Sequence, residues 1–138
     1  MHWMFLPLRR YFEISGRSQR REFWLYFIAL WVVNGAIMAL FGAPVSYTNG
    51  MNFYWGTQTS LTGQFLVGLI ALFTLIPSYT VSIRRLHDID RSGWWLLVWL
   101  VPFVGWFVLL IFFCLDGTYG RNRYGDDPRG RGMADVFR

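Results

Sequence analysis

Residues 24–41 read WLYFIALWVVNGAIMALF, eighteen consecutive positions without a charge. A helix rises about 1.5 Å per residue, so this stretch spans roughly 27 Å, close to the ~30 Å hydrocarbon thickness of a bilayer. Phe23, Trp24 and Tyr26 at its entry are of the aromatic type that gathers at membrane–water boundaries. Asn34-Gly35 interrupts the run; a small residue permits close helix approach, and the amide can bond across helices. Residues 64–83 and 94–115 are also free of charge. Pro77 falls inside the second run and predicts a kink, with Ser78, Thr80 and Ser82 able to satisfy carbonyls freed nearby. The expected fold class is therefore all-α: a small helical integral membrane protein with about three hydrophobic segments.

Composition agrees. The chain has 138 residues, 54% hydrophobic and 15% charged, whereas a soluble domain averages about 45–50% apolar and about 25% charged. Around a membrane domain at 24–115, residues 1–23 mix Trp3, Phe5, Leu6, Leu8, Tyr11 and Phe12 with Arg9, Arg10, Arg17, Arg20 and Arg21. That pattern reads either as an amphipathic segment in the headgroup layer or as a positively charged flank. Residues 42–63, rich in Gly, Asn, Thr and Ser, read as an exposed loop. Residues 116–138 form a polar tail rich in Gly, Arg and Asp.

All thirteen basic residues other than histidine are Arg, and the net charge is +5. Guanidinium is the planar fork that grips phosphate in bidentate fashion; a genomic composition bias yields the same preference. Because the arginines sit beside apolar runs, anionic lipid headgroups, not nucleic acid, are the expected partner. Cys114 is the only cysteine, so an internal disulfide is impossible. With His2 and His87 it makes too small a set for a metal site, and no cofactor is expected.

Arginines also sort the loops. Five lie in 1–23, none in 42–63, three in 84–93 and five in the tail. The positive-inside tendency places the N-terminus and 84–93 in the cytoplasm and 42–63 outside. A full third crossing would carry the tail arginines outside. Pro102 and Gly105 lie in the middle of that run, so it reads either as one Pro-kinked span or as a re-entrant hairpin whose two arms each cover only about 12–15 Å.

The polar stretches carry the candidate sites. In RRLHDIDRSGWW, residues 84–95, Arg84, Arg85, His87, Asp88, Asp90 and Arg91 crowd between two membrane segments. Asp88 and Asp90 can pair with Arg84, Arg85 or Arg91 to pin a tight connection; the arginines could equally hold a lipid phosphate. In DGTYGRNRYGDDP, residues 116–128, three glycines permit sharp turns, and Arg121, Asn122, Arg123, Tyr124 and Asp127 are the polar groups. It lacks the Gly-Lys-Ser/Thr ending of a phosphate loop. The structural expectation is a tail folded back on 84–93.

Gly16-Arg17-Ser18, Arg21-Glu22-Phe23-Trp24, RRLHDIDRSGWW, the Pro102/Gly105 pair and GTYGRNRYGDDP together resemble the domain-of-unknown-function 805 family, the YhaH-like bacterial inner-membrane proteins, over about residues 11–128. The resemblance implies a multi-pass inner-membrane protein and no known activity, cofactor or catalytic residue. The function expected is a non-catalytic membrane module. Its cytoplasmic rim (Arg17, Arg20, Arg21, Arg84, Arg85, Arg91, Arg121 and Arg123) would bind anionic lipid or phosphate headgroups, with His87, Asp88, Asp90, Asn122, Tyr124 and Asp127 as a structural polar cluster. A homo-oligomeric channel-like assembly, drawing on Asn34, Gln64, Thr74, Ser78 and Thr80, and a subunit of a larger complex are the alternatives.

Overall fold

The computed structural model of the chain describes residues 5–131; the outer parts of the segment 1–23 and of the tail 116–138 lie outside that range. The element order is α1 Leu6–Arg9, α2 Arg20–Phe41, β1 Gly42–Asn49, β2 Asn52–Thr59, α3 Leu61–Asp88, a 3-10 helix Gly93–Leu100 and α4 Val104–Cys114. Among the described residues two helices are long and apolar enough to cross a membrane, α2 with 22 residues and α3 with 28, and α4 is a shorter apolar helix. At about 1.5 Å per residue they measure roughly 33 Å and 42 Å. Their apolar windows are only 11% and 22% buried within the chain. Leu40 and Leu72 are 78% and 74% exposed. Such outward-facing apolar surface is stable against lipid and would be a liability against water.

The chain divides into two compact units, one of residues up to Phe27 and from Ile76 onward, the other Ile28–Leu75. In the second unit, the expected loop 42–63 is instead an antiparallel hairpin, paired from Gly42 with Thr59 to Asn49 with Asn52. The all-α expectation is corrected by this two-stranded sheet. Gly50, at φ +62°, supplies the left-handed backbone of its tip. Ser60 N donates to Phe41 O at 2.9 Å, and the Ser60 hydroxyl accepts from Gly63 N at 3.2 Å, the bond of a serine N-cap. Asn34 donates to Leu30 O at 2.8 Å and Thr74 to Ile70 O at 2.7 Å, each four residues back on its own helix.

In the first unit, Pro77 lies inside α3 without ending it. Thr80 donates to Pro77 O at 3.1 Å and Ser82 to Ser78 O at 2.6 Å. Phe23, Tyr26, Val81, Leu86 and Leu109 are the buried apolar residues, and the Phe23 and Phe113 rings lie 4.4 Å apart.

The third apolar run is two short helices joined by a reversal. Val104 N donates to Pro102 O at 2.7 Å, around Phe103 at φ 61° and ψ −66°. This is a γ-turn of the rare, strained hand. Gly105 makes the reversal sterically feasible: a Cβ there would meet Val98 O at 1.8 Å. Trp106 Nε1 donates to Trp99 O at 3.2 Å, tying the arms together. Both ends of this hairpin meet the last turns of α3. Gly93 packs against Ile83, while Arg85 Nε donates to Phe113 O at 3.3 Å.

Candidate functional site

Asp88, at the C-terminal end of α3, is the centre of the polar cluster and is 1% exposed. One carboxylate oxygen accepts from Arg17 Nε at 2.9 Å, the other from an Arg85 terminal nitrogen at 2.7 Å. Its backbone carbonyl accepts from Thr118 N at 2.8 Å and from Thr118 Oγ1 at 3.2 Å. Three parts of the chain, the segment before α2, the end of α3 and the tail, thus converge on one residue.

Arg17 completes the join. Its terminal nitrogens donate to Gly120 O and Thr118 O, both at 2.6 Å. Arg85 also donates to Leu115 O. A buried guanidinium is costly unless its donors are matched; for Arg17 and Arg85 one carboxylate and several carbonyls do so. Arg84 faces elsewhere, its terminal nitrogen 3.2 Å from Glu22 Oε1, with both side chains buried. Ser18 N donates to Arg84 O at 3.1 Å, securing the same corner through the backbone.

Arg17, Arg84 and Arg85, expected on a headgroup-facing rim, are therefore turned into the protein, all three at most 5% exposed. The physical reason is the presence of Asp88 and Glu22 within ion-pair distance. Arg20 is partly exposed, and Arg21, Arg91, Arg121 and Arg123 are exposed. Arg91 lies over the rings of Trp95 and Phe112, 5.5 and 5.8 Å from their centroids. Arg123 donates to Asp90 Oδ1 at 3.0 Å, and Arg121 is 3.7 Å from Asp126 in an open pair.

Of the six polar residues expected as a structural cluster, His87, Asn122 and Tyr124 meet one another, whereas Asp90 and Asp127 each pair with an arginine. His87 stacks on Tyr124 with centroids 3.8 Å apart and planes within 3°. The Asn122 amide donates to His87 O at 2.8 Å and to Thr118 Oγ1 at 2.9 Å. Asp127 accepts from Arg131 Nε at 2.7 Å and from Arg129 N at 2.9 Å. Burial pushes the Asp127 carboxyl up, but these donors outweigh it and hold the group below the usual range. Asp116 joins Arg20 and Arg129, and the Arg129 hydrogen bond holds its carboxyl low. The tail folds back on the end of α3 mostly through its carbonyls, Thr118 and Asn122, while its own described aspartates pair with Arg20, Arg121, Arg129 and Arg131.

The sequence assigns no site role to Glu22 or Thr118, whereas Gly117 reads as one of three glycines allowing sharp turns and close backbone approach, and it does lie against Asp88. Glu22 carried a signal: a lone acid at the mouth of an uncharged run, beside arginines. Thr118 acts through its backbone and hydroxyl on the Asp88 carbonyl, which leaves no compositional mark.

The model of the family described as "Protein of unknown function (DUF805)" matches residues 11–126. The chain is 41% identical to the inner membrane protein YhaI of Escherichia coli (strain K12), over 94% of this chain and 97% of that protein. It is 33% identical to the inner membrane protein YhaH of the same organism, over 94% and 98% of the two chains. Similarity extends, at 28% identity over 86% and 87%, to the protein YiiR. No solved structure matches. With the family motif spanning most of its length and two membrane-capable helices in its fold, the chain belongs to the DUF805 family and is an inner-membrane protein.

Proposed function

We propose that this protein is a non-catalytic membrane module whose outward-facing arginines hold anionic lipid or phosphate headgroups at the cytoplasmic surface. The observation that carries the reading is the division of the arginines. Arg17, Arg84 and Arg85 are consumed inside the fold, whereas Arg9, Arg10, Arg21, Arg91, Arg121 and Arg123 remain exposed. Exposed Phe5, Phe12 and Trp94 accompany them, the mixture of rings and guanidiniums suited to a headgroup layer.

The fold of the third run supports one topology. α2 and α3 cross the bilayer, and the third run enters as a re-entrant hairpin and returns to the side it left. Its arms are about 16 Å each, roughly half the hydrocarbon thickness. The contacts of Arg17 with Gly120 and Thr118 support this, because they tie the tail to the N-terminal segment. With 42–63 outside, the described arginines then lie on the cytoplasmic side, as the positive-inside tendency favours.

Native mass spectrometry of the protein extracted with its own lipids tests the proposal. A retained anionic lipid, weakened when Arg21, Arg91 and Arg121 become Gln, is the expected result. A single lipid-independent oligomer would overturn it in favour of a shared pore or scaffold.

A further inference from the structure

Two recesses share Arg20 and Arg21. One, of about 560 Å³, is lined by Gln19, Arg20, Arg21, Pro128 and Arg129. The other, of about 650 Å³, is lined by Arg20, Arg21, Trp24, Leu25 and Cys114. A strongly basic hollow therefore continues into an apolar one, and the arginines stand at the junction.

The charges there do not cancel. Arg20 and Arg129 share the carboxylate of Asp116. No carboxylate pairs with Arg21 among the described residues. Three cations against one anion leave a surplus that suits a phosphate. The adjoining Trp24 and Leu25 suit the first methylenes of an acyl chain. In an inner-membrane protein, the molecule that joins those two chemistries covalently is a phospholipid.

The walls come from distant parts of the chain. Gln19, Arg20 and Arg21 begin α2, whereas Pro128 and Arg129 belong to the tail. The Gln19 amide donates to Pro128 O at 2.5 Å, closing the basic recess. The recess is whole only while the tail is docked.

We propose that these residues form a composite site for one anionic phospholipid, its phosphate on Arg20, Arg21 and Arg129 and its chain along Trp24 and Leu25, so that lipid binding and tail docking strengthen each other. The inference rests on the headgroup-binding reading above and adds the site and the coupling. A ligand that contacts both the tail and α2 favours the docked state by its differential affinity, and docking raises lipid affinity by the same factor.

The test uses the full chain in nanodiscs of phosphatidylcholine, with and without phosphatidylglycerol. Hydrogen exchange of residues 116–131 and lipid retained in native mass spectra are read together. Phosphatidylglycerol is expected to slow tail exchange, and Arg21→Gln to weaken that response about fivefold, the equivalent of about 1 kcal/mol for one guanidinium at an anionic surface. Arg129→Gln, which alters the tail wall, is expected to remove both the response and the lipid. Retained anionic lipid with no change in tail exchange would overturn the coupling while sparing the headgroup reading. No preference for anionic lipid would overturn both. An equal response to inorganic phosphate in phosphatidylcholine discs would overturn the lipid assignment in favour of a free anion.

Discussion

Gly117 lies so close to Asp88 that a Cβ on the glycine would stand 2.1 Å from Asp88 Oδ2 and 2.5 Å from the carboxylate carbon. The carboxylate cannot retreat, because Arg17 and Arg85 hold its two oxygens. Gly117→Ala must therefore push the tail outward or break a buried ion pair. The expected cost is about 1–3 kcal/mol, the range for overpacking a tight interior. Thermal unfolding in detergent should show the loss, with limited proteolysis cutting first within 116–131. An alanine variant as stable as wild type, with a protected tail, would refute the close approach.

The reversal of the third run makes opposite predictions at two neighbouring positions. Phe103 holds φ at 61°, a conformation that costs a bulky side chain about 1–3 kcal/mol. Its ring is 80% exposed, so little packing within the chain is lost on removing it. Phe103→Gly is expected to raise stability by about 1 kcal/mol. Gly105→Ala meets the backbone of Val98 and should lower it by about 1–3 kcal/mol. Unfolding midpoints of the two variants, measured side by side, check both signs.

Membrane topology can be read chemically. In a Cys114→Ser background, single cysteines replace Ser15, Thr57 and Arg121. A membrane-impermeant thiol reagent added to intact cells is expected to label position 57 alone. In inverted vesicles, 15 and 121 are expected to react together. Labelling of 121 from outside would mean that the third run crosses fully.

Acid should loosen the tail. The Arg129 hydrogen bond within the tail, with attraction from Arg20 of α2 beside it, holds the Asp116 carboxyl below its ordinary range, so the ionised form favours a folded tail joined to α2. The contribution is complete above the ordinary aspartate value of about 3.9 and is lost as pH falls through the depressed folded value. Hydrogen exchange of the tail, normalised for intrinsic rates, should accelerate below about pH 4. Asp116→Asn should show the looser tail already at neutral pH. A tail equally protected in the variant would assign its docking to the remaining contacts, those of Asp88 and Arg17 foremost.

The membrane class was legible because hydropathy sums along the chain without reference to the fold. Three charge-free runs, the aromatic entry at Phe23–Tyr26 and the crowding of arginine at their flanks needed only residue order. Pro102 and Gly105 marked where the third run could reverse, and the backbone between them then supplied the turn. The hairpin at 42–59 was missed despite its signal. Asn49-Gly50 sits between two runs carrying β-branched and aromatic residues, a recognised turn pattern, but the Gly, Asn and Thr content also fits a loop.

Partner choice among the arginines was beyond reach of the sequence. Thirteen guanidiniums are chemically alike, and an ion pair depends on separations of a few ångströms that are set by the fold. Only the tertiary structure decided that Arg84 meets Glu22 and that Arg17 crosses 71 positions to reach Asp88. By bringing the tail against the start of α2, it also decided which arginines are spent within the protein and which face outward.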